Sequence, residues 1–297
     1  MARYAAVDIG TNSARLLIGT IELDQLKVEH FSLNTTRLGE GIGTQSVLRR
    51  EAIQRTVTAL RGYRELLKQY PVAGIRVVAT SAARGAANAA EFVQTVWKQT
   101  GWRVEIISGK EEAELSYLGA CRGLKNLGQP VVLDIGGGST EFTWVVPGTG
   151  IVSRSIEIGA VRLMERSLTA DELREVLAPV LAEIKAGRPQ CLVGVGGTVT
   201  TLAAIEQKLE CYDPERVHGY YLTRVVVDKL LTTLSAMKLE ERRQVVGLQP
   251  ARADIIVAGV TILSTILAEL GLDGLVVSES DILQGIIWRL HEKMTRG

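Results

Sequence analysis

Val131-Val132-Leu133-Asp134-Ile135-Gly136-Gly137-Gly138-Ser139-Thr140-Glu141 is a short apolar strand that ends on an aspartate and runs at once into three glycines. Apolar, β-branched residues bounded by turn formers mark the strand. Three successive glycines are costly to order, so a turn built from them is expected to have a use. With no Cβ in the way, backbone N–H groups can close on a phosphate, and Asp134 stands beside them.

The same pattern opens the chain. Tyr4 to Gly10 is a second apolar strand ending in Asp8-Ile9-Gly10. Superposing Asp8 on Asp134 also aligns Ile9 with Ile135, Gly10 with Gly136 and Ser13 with Ser139. Each copy continues into another strand, Leu16 to Ile21 in one and Glu141 to Val146 in the other. Because strand and turn recur together, the chain is expected to be an internal duplication of α/β type. Its two domains are expected at 1–125 and 126–297, packed closely with a cleft between them. The final helix, 281–297, is left free to pack on either domain.

Between the repeats the periodicities are plain. Leu26 to Leu33 is a third strand, which makes the opening a meander. Ile53, Val57, Leu60, Tyr63 and Leu67 recur at helical spacing, giving a helix over about 49–69 that Pro71 and Gly74 end. Ile75 to Ala79 and Val104 to Ile107 are strands. Thr80-Ser81 supplies N-cap residue types for the segment carrying Arg84, and Ser108-Gly109 leads into a helix near Lys110. In the second half Cys191 to Val195 and Leu275 to Val277 are strands, and Asp281 to Lys293 is a helix. Ile255 to Ala268 is uncharged but too short to span a bilayer, so it is expected as a buried core helix.

The bulk numbers bound the function. A length of 297 residues suits two domains, and 46% hydrophobic residues suffice for full cores. A formal net charge of +1 argues against a protein that coats nucleic acid, so a polyanionic ligand needs locally clustered Lys and Arg. Cys121, Cys191 and Cys211 are an odd set without CxxC spacing, as expected of reduced thiols in the cytoplasm. Arg3 and Asp8 precede any long apolar stretch, so neither a secretory signal nor a membrane partner is expected.

The candidate site follows from the turns. Thr11, Asn12 and Ser13 in the first turn, and Gly136, Gly137, Gly138, Ser139 and Thr140 in the second, are phosphate-binding candidates. Gly196, Gly197 and Thr198 at a helix start are candidates for a third anion site, with simple strand–helix packing as the alternative. Asp8 and Asp134 suit a hard cation such as Mg²⁺, with Mn²⁺ an alternative, and Glu141 is a candidate to support metal or water. Arg84 offers a planar fork for phosphate oxygens. The acidic helix start Glu111-Glu112-Ala113-Glu114 admits two readings: carboxylates favoured by the helix dipole, or a base that deprotonates water.

Six motifs, in order, carry a resemblance that spans nearly the whole chain. They are Asp8-Ile9-Gly10-Thr11-Asn12-Ser13, Arg37-Leu38-Gly39-Glu40-Gly41, Thr80-Ser81-Ala82-Ala83-Arg84, Ser108-Gly109-Lys110-Glu111-Glu112-Ala113, Asp134 to Glu141, and Gly194-Val195-Gly196-Gly197-Thr198. Together they resemble the exopolyphosphatase/guanosine pentaphosphate phosphohydrolase family. The resemblance implies the duplicated actin-like fold shared by sugar kinases, actin and heat-shock chaperones. It also implies hydrolysis of a terminal phosphoanhydride, with Glu112 as the catalytic glutamate. Longer members carry a further helical domain that this chain is too short to contain.

The expected substrate is inorganic polyphosphate, with guanosine pentaphosphate as the alternative, and a homodimer is compatible with the sequence. Arg84, Lys110, Arg122, Lys125, Arg154 and Arg162 are candidates to line a groove for the polymer. A sugar kinase would need a second motif set for the sugar, which is not seen. A non-catalytic ATP-binding module of the actin type is the remaining alternative.

Overall fold

In the computed structural model of the chain, the described residues are 2–42, 46–124, 127–146, 148–166, 168–187, 189 and 191–296. The expected boundary at 125/126 and the candidate Lys125 lie outside them. The chain divides into two compact units, Met1–Arg122 with Ile282–Gly297, and Gly123–Asp281.

The first unit is built on a five-stranded sheet. Its strands are β1 (Arg3–Ile9), β2 (Ser13–Glu22), β3 (Gln25–Thr35), β4 (Gly74–Ala79) and β5 (Val104–Ile106), in the order β3-β2-β1-β4-β5. β1 to β3 form an antiparallel meander, and β4 and β5 join in parallel. Alternation along β1 sends residues to opposite faces. Ala5, Val7 and Ile9 enter a core with Ile53, Val57 and Leu60 of the helix Arg50–Leu67. Tyr4 and Ala6 enter another, with Ile282, Leu283, Ile286 and Ile287 of the final helix, Ile282–Arg296. The last helix thus covers the first unit's sheet, a placement that the sequence left open. Each buried Val, Leu or Ile among them contributes about 2 kcal/mol.

The second unit repeats the plan with a sheet ordered β10-β11-β9-β6-β7-β8. The strands are β6 (Pro130–Ile135), β7 (Thr140–Val146), β8 (Gly150–Ile156), β9 (Cys191–Val195), β10 (Tyr221–Thr223) and β11 (Gly274–Val277). Its meander β6-β7-β8 matches β1-β2-β3, and β9 joins β6 in parallel as β4 joins β1. This is the duplicated actin-like topology. The apolar helix Ile256–Leu270 lies in the core of this unit, with Ile262, Leu263, Ile266 and Leu267 buried.

Some local expectations change. Thr80 stands at the N-cap of the four-residue helix Ser81–Arg84, but its side chain makes no capping bond there. β8, β10 and the helix Ala89–Thr100 come from stretches where no element was expected. The helix buries Phe92, Val96 and Thr100, a single four-residue repeat among polar residues and so a faint signal. Among the described residues no helix is long and apolar enough to cross a membrane, and the three cysteines are free thiols.

Candidate active site

The two repeated turns are closed in the same way. Gly10 N–H donates to Ser13 O at 2.9 Å, and Gly136 N–H donates to Ser139 O at 3.0 Å. Each aspartate is the residue before the last of its strand, and a residue of the next strand faces it across the ladder. Asp8 faces Arg15, and Asp134 faces Glu141. Directly opposed residues of an antiparallel pair point to the same face, so each aspartate shares its surroundings with that partner. The duplicated backbone therefore carries opposite charge at equivalent positions.

In the first unit Arg15 donates to Asp8 Oδ2 through Nη2 at 2.6 Å and Nε at 3.0 Å. Beside it Thr11 O accepts from Gly39 N–H at 2.9 Å, and Asn12 O accepts from Arg37 N–H at 2.8 Å. A Cβ on Gly39 would overlap the Thr11 methyl and stand 3.2 Å from Ala82 Cβ. Close packing at Gly39 thus joins the Asp8 turn, the Arg37-Gly39 loop and the helix bearing Arg84. Tyr63, pushed up in pKa chiefly by burial, donates to Ala14 O at 2.7 Å and fixes the helix Arg50–Leu67 next to this turn.

The acidic helix start resolves into three environments. In the helix Gly109–Gly123, the Ser108 hydroxyl accepts from Glu111 N–H at 3.1 Å, and Ser108 O accepts from Glu112 N–H at 2.9 Å. Glu111 pairs with Arg76 at 2.6 Å, and Glu114 lies 4.0 Å from the exposed Lys110. Glu112 alone of the three is buried, at 9% exposure, and its Oε2 accepts from Arg84 Nη1 at 2.9 Å. The same Nη1 donates to Ile107 O at 3.1 Å. The structure thus brings Glu112 and Arg84 together.

In the second unit Ala160 N–H donates to Gly136 O at 2.9 Å and Val161 N–H to Gly137 O at 2.8 Å. A Cβ on Gly159 would lie 2.6 Å from Ser139 N, so a second glycine is needed behind the turn. Ser139 and Thr140 are buried, and the Thr140 hydroxyl donates to Ile158 O at 2.7 Å. Thr140 therefore serves the turn's own structure. Gly196, with φ of +83°, brings the third turn against the second: a Cβ there would stand 2.6 Å from Asp134 Oδ1. Thr198 Oγ1 donates to Ile135 O at 3.4 Å. Asp134, Gly136–Thr140 and Gly196–Thr198 thus form one constellation.

Glu141 is buried beside Asp134 and accepts from the Ser155 hydroxyl at 2.8 Å. Asp134 and Glu141 are hard oxygen ligands of the type that a divalent cation takes. Among the described residues no group of three or more His, Cys, Asp or Glu is arranged to hold a metal ion.

Two arginines at these turns escaped the sequence reading. Arg15 is found by counting across the meander from Asp8. Arg252 comes from a distant turn, and a Cβ on Gly197 would overlap its guanidinium. By contrast, several candidates for a polymer groove hold carboxylates instead. Arg122 pairs with Asp24 at 2.9 Å, Arg154 with Glu183 at 2.8 Å, and the buried Arg162 with Glu157. With 33 acidic residues to 34 basic ones, carboxylate partners are at hand over most of the surface.

Comparison with known proteins follows the same outline. The Ppx/GppA phosphatase family matches residues 25–294. Exopolyphosphatase 2 of Mycobacterium tuberculosis is 38% identical, over 96% of this chain and 98% of the relative. The crystal structure of the Aquifex aeolicus Ppx/GppA family member superposes with a TM-score of 0.80 at 32% identity, covering 99% of this chain and 98% of that one. An exopolyphosphatase from Cytophaga hutchinsonii superposes with a TM-score of 0.90 at 27% identity, covering 98% of each chain.

Proposed function

The chain belongs to the Ppx/GppA phosphatase family, and we propose that it releases orthophosphate from the end of inorganic polyphosphate, using a water that Glu112 deprotonates. The observation that carries this reading is the singling out of Glu112. Of three adjacent carboxylates it is the one withdrawn from solvent, and Arg84 fixes its direction. A positioned carboxylate of this kind can orient a water and accept its proton as the oxygen attacks phosphorus. Phosphoryl transfer asks little else of a protein than positioning and charge stabilisation.

The remaining residues take supporting roles. Thr11, Asn12 and Ser13 are the first unit's groups for phosphate oxygens, and the backbone of Gly136–Ser139 and Gly196–Thr198 is the second unit's. Gly196–Thr198 opens the helix Gly197–Glu206, whose N-terminal amides favour an anion. Arg84 meets phosphate oxygens with its planar fork. Asp134 and Glu141 would hold Mg²⁺ in the second unit; in the first, Asp8 is already bound by Arg15 and is the weaker candidate. The cation would supply neutralisation of phosphoryl charge. Three free thiols suit a reducing cytoplasm.

Guanosine pentaphosphate is the second reading, supported by the breadth of the family's name. The motifs address a terminal phosphoanhydride, which both substrates share. Polyphosphate is favoured because a relative named for it matches this chain nearly end to end. Phosphate release from polyphosphate, guanosine pentaphosphate and ATP, each with Mg²⁺ at matched ionic strength, tests the assignment. The expected result is the highest kcat/KM on polyphosphate, falling steeply with salt as for other linear polyanions. A clear preference for the nucleotide overturns the substrate and leaves the chemistry standing.

A further inference from the structure

The helix Gly109–Gly123 carries Glu112 in its first turn, and chain from the far end of the sequence grips the rest of it. Gly285, in the final helix, lies directly on the backbone of Leu115, one turn beyond Glu112. A Cβ there would overlap Leu115 O and stand 2.7 Å from Leu115 C. Leu115 itself is buried in the core that Ile282, Leu283, Ile286 and Ile287 build. Near the helix end, the Arg122 guanidinium lies 4.7 Å from the Trp288 ring centroid and 3.8 Å from Glu292. At Gly123 a Cβ would overlap the Ser280 hydroxyl and stand 2.6 Å from Ser280 Cβ.

One histidine completes the grip. His218 Nε2 lies 3.1 Å from Gly123 O, and His218 Nδ1 accepts from Glu279 N–H at 3.1 Å. A carbonyl can only accept and an amide N–H can only donate, so this bridge requires the neutral ring with its proton on Nε2. The imidazole thereby ties the last residue of the Glu112 helix to the segment that opens the final helix.

We propose that the segment Ser278–Glu292, with Gly285 and His218 as its fixing points, is a positioning element that sets where Glu112 stands. This rests on Glu112 being the general base. A helix turns and slides as a rigid rod, so contacts at Leu115, Arg122 and Gly123 fix both its rotation and its axial position. A displacement of about 1 Å at a catalytic group can cost on the order of 10²-fold in rate. Gly285 and His218 touch no reacting atom in this scheme. They act through the helix.

The test pairs steady-state kinetics on polyphosphate with hydrogen exchange of the amides in 109–116. Gly285→Ala is expected to lower kcat by about tenfold or more with KM nearly unchanged, and to speed exchange in 109–116. His218→Asn keeps an acceptor for Glu279 N–H, and His218→Gln keeps a donor for Gly123 O. Since each preserves one arm of the bridge, both are expected to lower kcat while remaining folded. Gly123→Ala is expected to do the same, and Gly123→Ala/Ser280→Gly, which removes the clashing side chain, to recover. Met294→Gln, at an exposed site on the same helix, serves as the unaffected control.

Unchanged kcat and exchange in folded Gly285→Ala and His218→Asn would overturn the proposal. So would a kinetic loss accounted for wholly by unfolded protein, or failure of Ser280→Gly to rescue Gly123→Ala. If the unsubstituted protein releases no phosphate from polyphosphate, the substrate reading fails. Exchange in 109–116 then still decides whether this segment fixes the helix.

Discussion

Arg84 Nη1 stands 2.9 Å from Glu112 Oε2, so the residue read as a phosphate clamp and the residue read as a base are partners. The pair joins the short helix Ser81–Arg84 to the helix Gly109–Gly123. It is largely withdrawn from water, with the Arg84 side chain 21% exposed and that of Glu112 12%. A carboxylate so placed is oriented before any substrate arrives.

Glu112→Gln keeps the size of the side chain and an oxygen to accept from Arg84. Turnover is expected to fall by about 10²-fold or more, the scale of a lost general base, with KM nearly unchanged. Near-normal kcat in the folded variant would remove Glu112 from the mechanism.

Breaking the pair from the other side separates stability from catalysis. Arg84→Leu leaves a buried carboxylate without its cation and is expected to cost about 2 kcal/mol or more. Arg84→Leu/Glu112→Leu is expected to regain most of that loss while remaining inactive. Urea denaturation of the two single variants and the double variant measures the coupling. Simple additivity would mean that the ion pair contributes nothing.

The metal reading predicts an order among the aspartates. Asp134 faces Glu141 across the β6–β7 ladder, whereas Asp8 Oδ2 already accepts two N–H groups from Arg15. Titrating activity against Mg²⁺ is therefore expected to show a larger midpoint shift for Asp134→Asn than for Asp8→Asn. Equal midpoints for both variants and the unsubstituted protein would make the aspartates purely structural.

Two neighbouring glycines should fail in different ways. Gly196 has φ of +83° and backs onto Asp134 Oδ1, so Gly196→Ala strains backbone and displaces a carboxylate. A loss of about 1–3 kcal/mol is expected, read as a lower Tm. Gly197→Ala meets the movable end of the Arg252 side chain, so the Tm is expected to stay close and KM to rise. The reverse pattern would show that Gly197 is the structural position.

Much of this was legible one residue at a time. The duplication could be read because strand and turn recur with the same spacing, and the structure closes both turns with the same hydrogen bond. The Asp-Ile-Gly signature fixed where each aspartate would lie, at the end of a strand. The acidic helix start was visible too, but which carboxylate is buried was not. That depends on what the helix packs against, and Arg76, Arg84 and Lys110 divide the three among themselves.

By itself the sequence determined the α/β duplication, the glycine-rich turns and the aspartates near the ends of β1 and β6, because these follow from local period and backbone freedom. Only the tertiary structure decided the pairings across long separations: Arg84 with Glu112, Arg252 over Gly197, and Gly285 on the backbone of Leu115. Nothing local marks such partners, since each is brought to its place by the packing of sheets and helices around it. The glycine at 285 has an ordinary helical place in the sequence, and its need for a hydrogen side chain appears only when another helix lies against it.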